Sequence, residues 1–179
     1  MSATTRRWLS LDISLTCTGW AVLEGTKDAM ELLDYGHIKT VAKKGKTAYT
    51  TGQRLRTIYD AMTDLVARYP DVDKQVPREA GFVKFANATK QIQRATGVCE
   101  MALSDFELID VNPSVPKKWA RDYLGISYNR VDKEMVEEAV RAFLKLPDLQ
   151  FVTDDESDAV AVGLVYGLGL HEKEKAGGK

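Results

Sequence analysis

The chain has little of what small stapled or metal-clipped folds are built from. Its 179 residues hold two cysteines, Cys17 and Cys99, and two histidines, His37 and His171. Cysteines so far apart make no disulfide framework, and histidines without ligand-like neighbours make no zinc site. No Ser-His-Asp or Cys-His set for nucleophilic catalysis is evident. No apolar run approaches the roughly 18 residues of a membrane-spanning helix, and residues 1–7 lack the hydrophobic stretch of a signal peptide. The expectation is a soluble, cytoplasmic protein with no membrane partner. With only 5 Pro and 13 Gly, 44% hydrophobic and 28% charged residues, disordered, collagen-like and low-complexity chains are excluded as well.

What is present suits one domain. A chain of this length buries roughly 70% of its unfolded surface and supports one sizeable core. We expect a single domain over residues 1–171 and a flexible polar tail over 172–179. The net charge of −1 is unevenly spread. Between Lys39 and Arg121 there are fifteen Lys or Arg against nine Asp or Glu, whereas acid gathers between Asp148 and Asp158. A basic middle and an acidic patch near the end suit an enzyme that binds a polyanion and holds divalent metal; scattered surface charge is the plainer reading.

Trp8-Leu-Ser-Leu-Asp12-Ile-Ser reads as a strand with a polar end, followed at once by a second strand from Thr18 to Glu24 and a third over residues 31–39. Such short connections predict an antiparallel meander, and Lys43-Lys44-Gly-Lys46 follows as a basic loop. Leu55, Ile58, Tyr59, Met62, Leu65 and Val66 then recur at helical spacing, up to Pro70. Residues 76–82 make a weak strand, because Pro77 cannot donate a ladder hydrogen bond. A helix over 85–103 carries Ala88, Ile92, Ala95, Cys99 and Ala102 on one stripe. A strand over 106–111, a helix opened by Pro113, and helices over 131–144 and 155–168 complete the pattern. Strands first, then strands alternating with helices, predict an α/β fold with a mixed sheet covered by helices.

Four acids stand out by their setting. Asp12 ends the first strand and Glu79 lies near the end of the weak strand. Asp155 and Asp158, at i and i+3, open a helix apolar nearly all round. Buried carboxylates need a neutralising partner, although a lone Asp at a helix N-terminus is ordinarily a cap. Carboxylates without a His or Cys cluster select hard cations such as Mg²⁺ or Mn²⁺. Two such ions roughly 3.5–4 Å apart clamp a phosphodiester during hydrolysis.

The run Leu11-Asp12-Ile-Ser14-Leu-Thr16-Cys-Thr18-Gly19-Trp20 closely resembles the first motif of the RuvC-type Holliday junction resolvases of the ribonuclease H-like superfamily, phage-encoded members above all. Further matches follow in order: Arg54-Leu-Arg-Thr-Ile58-Tyr59, Glu79-Ala-Gly-Phe82 with Asn87-Ala-Thr-Lys90 and Ala95-Thr-Gly97, Val131-Asp-Lys133-Glu-Met-Val136, and Asp155-Glu-Ser-Asp158-Ala159. They span residues 8–169. The resemblance implies a five-stranded ribonuclease H-like sheet, antiparallel then parallel. It also implies an Mg²⁺-dependent endonuclease (Mn²⁺ able to substitute) that resolves four-way DNA junctions by paired nicks with two ions per site. Asp12, Glu79, Asp155 and Asp158 become the metal ligands and Lys133 a cation at the scissile phosphate. Phe82 matches an aromatic that stacks into the opened junction. Lys84, Lys90, Arg94, Lys117, Lys118 and Arg130 are the expected phosphate contacts, together with Lys133. A homodimer formed through the 85–103 helix presents two sites to two strands, unless that stripe faces its own sheet.

Three departures stand beside these matches. Ile13 replaces a proline common in the family, the run before Glu79 is unusually polar, and Asp154 leaves the register of the final acidic pair open by one residue. Three other functions compete. A flap or branched-DNA nuclease would use the same acids. Asp-x-Ser-x-Thr-x-Thr-Gly is also similar to the first phosphate loop of actin-like and sugar-kinase phosphotransferases, which need two such domains. A non-catalytic junction-binding protein would not need the acids.

Overall fold

The computed structural model describes residues 4–41, 46–81, 86–127 and 133–172. In chain order the elements are β1 (Arg6–Asp12), β2 (Cys17–Gly25), β3 (Met30–Lys39), α1 (Thr51–Arg68), β4 (Gln75–Glu79), α2 (Ala86–Ala102), β5 (Glu107–Val111), α3 (Ser114–Leu124), α4 (Lys133–Leu144) and α5 (Asp154–Gly167). The five strands form one sheet in the order β3-β2-β1-β4-β5. β1, β2 and β3 pair antiparallel, as the short connections predict, and β4 and β5 join in parallel. This is the mixed, helix-flanked sheet of the ribonuclease H-like fold. Among the described residues no helix is long and apolar enough to cross a membrane.

Strand alternation divides the core between the two faces of the sheet. Trp8, Ala21 and Leu23 pack under α3, α4 and α5. Leu9, Leu11 and Val22 pack under α1 and α2, whose buried faces include Ile58, Met62 and Leu65 on α1 and Ala95 and Cys99 on α2. The helical spacing seen in the sequence around Leu55–Val66 is therefore the core face of α1. The stripe on α2 belongs to the same core: Ala95 and Cys99 are wholly buried within this chain. Ala88, Ile92 and Ala102 of the same stripe are only half-buried, so part of it is left at the surface of α2 for the expected dimer contact.

α5 lies directly on β1 and β2. Trp8 Nε1 donates to Gly163 O at 3.0 Å, and Ser10 Oγ donates to Ala159 O at 2.7 Å. A side chain at Gly163 would meet Leu23 Cδ1 at 2.4 Å and Ser10 Oγ at 2.6 Å, so only glycine permits this approach. The helix is apolar all round because the sheet covers one side and α3 and α4 the other.

Pro77 was the reason to doubt β4, yet β4 lies inside the sheet, between β1 and β5. The direction of its amides explains this. Ala80 N donates to Val111 O at 2.9 Å, so the even-numbered amides of β4 face β5 and the odd-numbered ones face β1. Proline at 77 removes a donor from the β1 side alone. There the registered pairing is the single bridge Leu11↔Arg78, whereas the β5 side pairs from Gln75 to Glu79.

The Cys99 thiol, sealed between α2 and the sheet, has its pKa pushed up to about 12 by burial. A small disulfide reagent at pH 8 is expected to leave Cys99 unmodified in the native protein and to modify it in denaturant, as read by mass spectrometry. Modification at native rates comparable to those of the unfolded chain would mean that α2 opens from the sheet.

Candidate active site at the ends of the parallel strands

Asp12 is the last residue of β1 and Glu79 the last of β4. Each stands one residue beyond the Leu11↔Arg78 bridge, so the two acids end adjacent parallel strands at the same level. Alternation turns them toward the face that carries α5, opposite to Leu11 and Arg78. Both are half-buried.

The third and fourth acids come from α5. Its start is set by a capping box: Thr153 caps the helix, and the Glu156 side chain reaches back to accept from Val152 N at 2.6 Å and Thr153 N at 3.4 Å. That makes Asp154 the first helical residue and Asp155 the second. Gly19, which pairs with Asp12 across β1 and β2, shows which of the two lies against the sheet. A Cβ on Gly19 would lie 1.8 Å from the carbonyl oxygen of Asp155 and 3.1 Å from its Cβ. Asp155, not Asp154, thus rests on the strand pair that carries Asp12. The Cys17 thiol, 4.0 Å from Thr153 Oγ1, has its pKa raised to about 11 by burial first and by the neighbouring Asp155 carboxylate second. Asp158 follows about one turn later, on the flank of α5 away from β3.

Glu156 is a structural acid that the sequence reading passed over. It is 3% exposed, and its other oxygen lies 2.6 Å from His37 Nδ1 on β3. His37 pairs with Gly19 in register. The imidazole and the cap together hold the start of α5 over the β1–β3 end of the sheet. The signal was present in the sequence as Thr153-Asp-Asp-Glu156, the spacing of a capping box.

The expected cations divide. Lys90 and Arg94 stand exposed on α2, and Lys117 and Lys118 stand exposed on α3, so the sheet separates the two pairs. They do not make one patch. The Lys118 ammonium is 2.6 Å from Asp122, one turn on, in a solvent-exposed pair. Phe82, Lys84 and Arg130 lie outside the described residues, as does the side chain of Lys133 at the first position of α4.

The donor set fits a hard divalent cation: Asp12, Glu79, Asp155 and Asp158 offer only carboxylate oxygens, from two strand ends and one helix start. Among the described residues, no three His, Cys, Asp or Glu side chains are already drawn into one coordination group. The backbone places the acids at one end of the sheet, with Asp155 beside the Cys17 thiol.

The family model for "Crossover junction endodeoxyribonuclease RuvC" matches residues 8–166. Among curated relatives of that name, the one from Halothermothrix orenii is 26% identical over 96% of this chain and 98% of its own length. The one from Treponema denticola is 27% identical over 87% of this chain and 82% of its own length. Among solved structures, "T. thermophilus RuvC in complex with Holliday junction substrate" superposes with a TM-score of 0.70. It is 16% identical and covers 93% of this chain and 96% of that one, a likeness of fold.

Two substitutions test how α5 is seated. Gly19→Ala drives a methyl group into the Asp155 carbonyl and is expected to lower both melting temperature and any nuclease activity, without touching a charged group. Glu156→Ala removes the cap and the His37 contact together; denaturant unfolding should show a loss of about 1–3 kcal/mol. Wild-type stability in both variants would mean that α5 is not held at these points.

Proposed function

Because the chain belongs to the RuvC family of crossover junction endodeoxyribonucleases, we propose that its acidic sheet end is the centre of an endonuclease that resolves four-way (Holliday) DNA junctions by paired symmetric nicks. The observation that carries this reading is the convergence of Asp12, Glu79 and Asp155 on one end of the sheet, with Gly19 allowing the helix to close over it.

Asp12, Glu79, Asp155 and Asp158 hold divalent metal, Mg²⁺ by preference and Mn²⁺ as a substitute, two ions to each site. When bound, the cations supply Lewis-acid stabilisation of the phosphodiester as water displaces the leaving oxygen. The chain's own residues do the rest. The carboxylates bring compensating charge, and His37 with Glu156 keeps the α5 acids in place. Lys133, at the start of α4, offers a positive charge to the phosphate as its charge rises in the transition state. Phe82, three residues beyond Glu79, stacks on a base at the opened crossover, a contact worth roughly 1–3 kcal/mol. Lys90 and Arg94 on one flank and Lys117 and Lys118 on the other meet the DNA backbone, with Lys84 and Arg130 as further phosphate contacts.

Two strands of like polarity are cut at one junction, so the working form is a twofold homodimer in which each copy supplies one acidic end. Since the buried stripe of α2 is used within the chain, the contact falls on surfaces other than Ala95 and Cys99. The motif spacing, most like phage-encoded members, suits the debranching of replicated or recombined DNA.

An immobile four-way junction is expected to be nicked symmetrically in Mg²⁺, with linear duplex left whole and a flap cut poorly. Chelation should abolish the nicks and added Mg²⁺ restore them. Asp12→Asn should lower the rate by about a hundredfold or more while junction binding persists. Equal cutting of flaps would make this a general branch nuclease, and undiminished cutting in chelator would overturn the metal reading.

A further inference from the structure

The arginines of this chain are mostly matched to carboxylates. Arg7 pairs with Glu24 and Asp71, Arg56 with Asp60, and Arg78 with Asp110. Arg54, in the first turn of α1, is held in another way. Its Nε donates to Thr40 Oγ1 at 3.0 Å, and its Nη2 donates to Leu15 O and Thr16 Oγ1, each at 3.1 Å. All three acceptors are neutral, and no carboxylate among the described residues pairs with it. The guanidinium is therefore fixed in place with its charge left uncancelled.

Its position matters as much as its bonding. Residues 13–16 form the loop that leaves β1 directly after Asp12, and Thr40 directly follows the end of β3. Thr40 N donates to Thr16 O at 3.0 Å, so the loop, the end of β3 and the start of α1 are tied at one point. That point lies at the same end of the sheet as the acids, on the α1 flank. Lys39 and Lys46 stand exposed on either side of it in sequence, within the basic middle of the chain.

We propose that Arg54 is a pre-set contact for a DNA phosphate beside the acidic centre, an inference that rests on the junction-nuclease reading above. A guanidinium presents its N–H groups as a planar fork that matches phosphate oxygens, and one already immobilised loses little side-chain freedom on binding. Arg54 reads the backbone and not the bases, so it sets register and adds no sequence preference.

The test is binding of a labelled four-way junction across a range of salt, with chelator present to stop cutting. Each phosphate contact contributes about 0.9 to the slope of log K against log salt. Arg54→Gln is expected to weaken binding about fivefold to tenfold and to lower the slope by about one. Arg54→Lys should keep most of the slope, and Arg56→Gln, two residues on and paired with Asp60, should keep all of it. An unchanged slope in Arg54→Gln, or an equal fall in Arg56→Gln, overturns the proposal and leaves Arg54 as a loop clamp.

Should Arg54→Gln fail to fold, a second measurement on the wild-type chain decides. Junction DNA should protect Arg54, and not Arg56, from a guanidinium-modifying dicarbonyl reagent, as read by mass spectrometry; equal modification of Arg54 with and without DNA overturns the proposal. Absence of any junction binding by the wild-type chain would sink the nuclease reading itself, a different outcome from either of these.

Discussion

How closely α5 can approach the sheet governs nearly everything else in this structure. Two glycines set that distance, Gly163 above Ser10 and Leu23 and Gly19 beneath Asp155. A helix of this kind could not stand alone in water, since it is apolar nearly all round. Its burial supplies the largest contiguous part of one core, and the same contact carries two acids onto the strand ends that hold two more. Stability and site geometry are thus one interaction: a substitution that lifts the helix loosens the core and parts the carboxylates together.

Much of this could be read from the residues. Helical spacing marked α1 by Ile58, Met62 and Leu65, and unbroken apolarity marked α5 as a buried helix. Short links predicted the antiparallel meander. Asp12, Glu79 and the α5 acids stood out by their setting at strand ends and a helix start, and their proposed role as metal ligands comes from the resemblance to the RuvC motifs. What failed did so for physical reasons. A stripe of small residues on α2 shows that something packs closely against it and does not say what; here Ala95 and Cys99 are taken up by the chain's own core, while Ala88, Ile92 and Ala102 stay half-buried. A proline argues against an inner strand only where both of its edges need donors, and Pro77 loses one only toward β1. Charge counts cannot tell Lys118, paired with Asp122, from Arg54, whose bonds are all to neutral oxygens.

Glu156 shows how one acidic run can hold two kinds of residue. In Asp154-Asp-Glu-Ser-Asp158 the acids alternate around the helix. Glu156 turns inward, where the backbone amides of Val152 and Thr153 and the ring of His37 satisfy it. Asp155 and Asp158 are left half-buried beside the sheet end. Sequence alone ranks these acids equally, and the direction of its side chain marks Glu156 as scaffold.

The seam between β1 and β4 has a consequence of its own. The antiparallel half of the sheet carries Asp12 and the parallel half carries Glu79, yet the halves meet through one registered bridge, with Asp73 N to Arg7 O at 2.7 Å tying the far end. Asp12 and Glu79 therefore stand on opposite sides of the seam, and α5, which packs on the strands of both halves, is the staple that holds the two halves of the acidic end together.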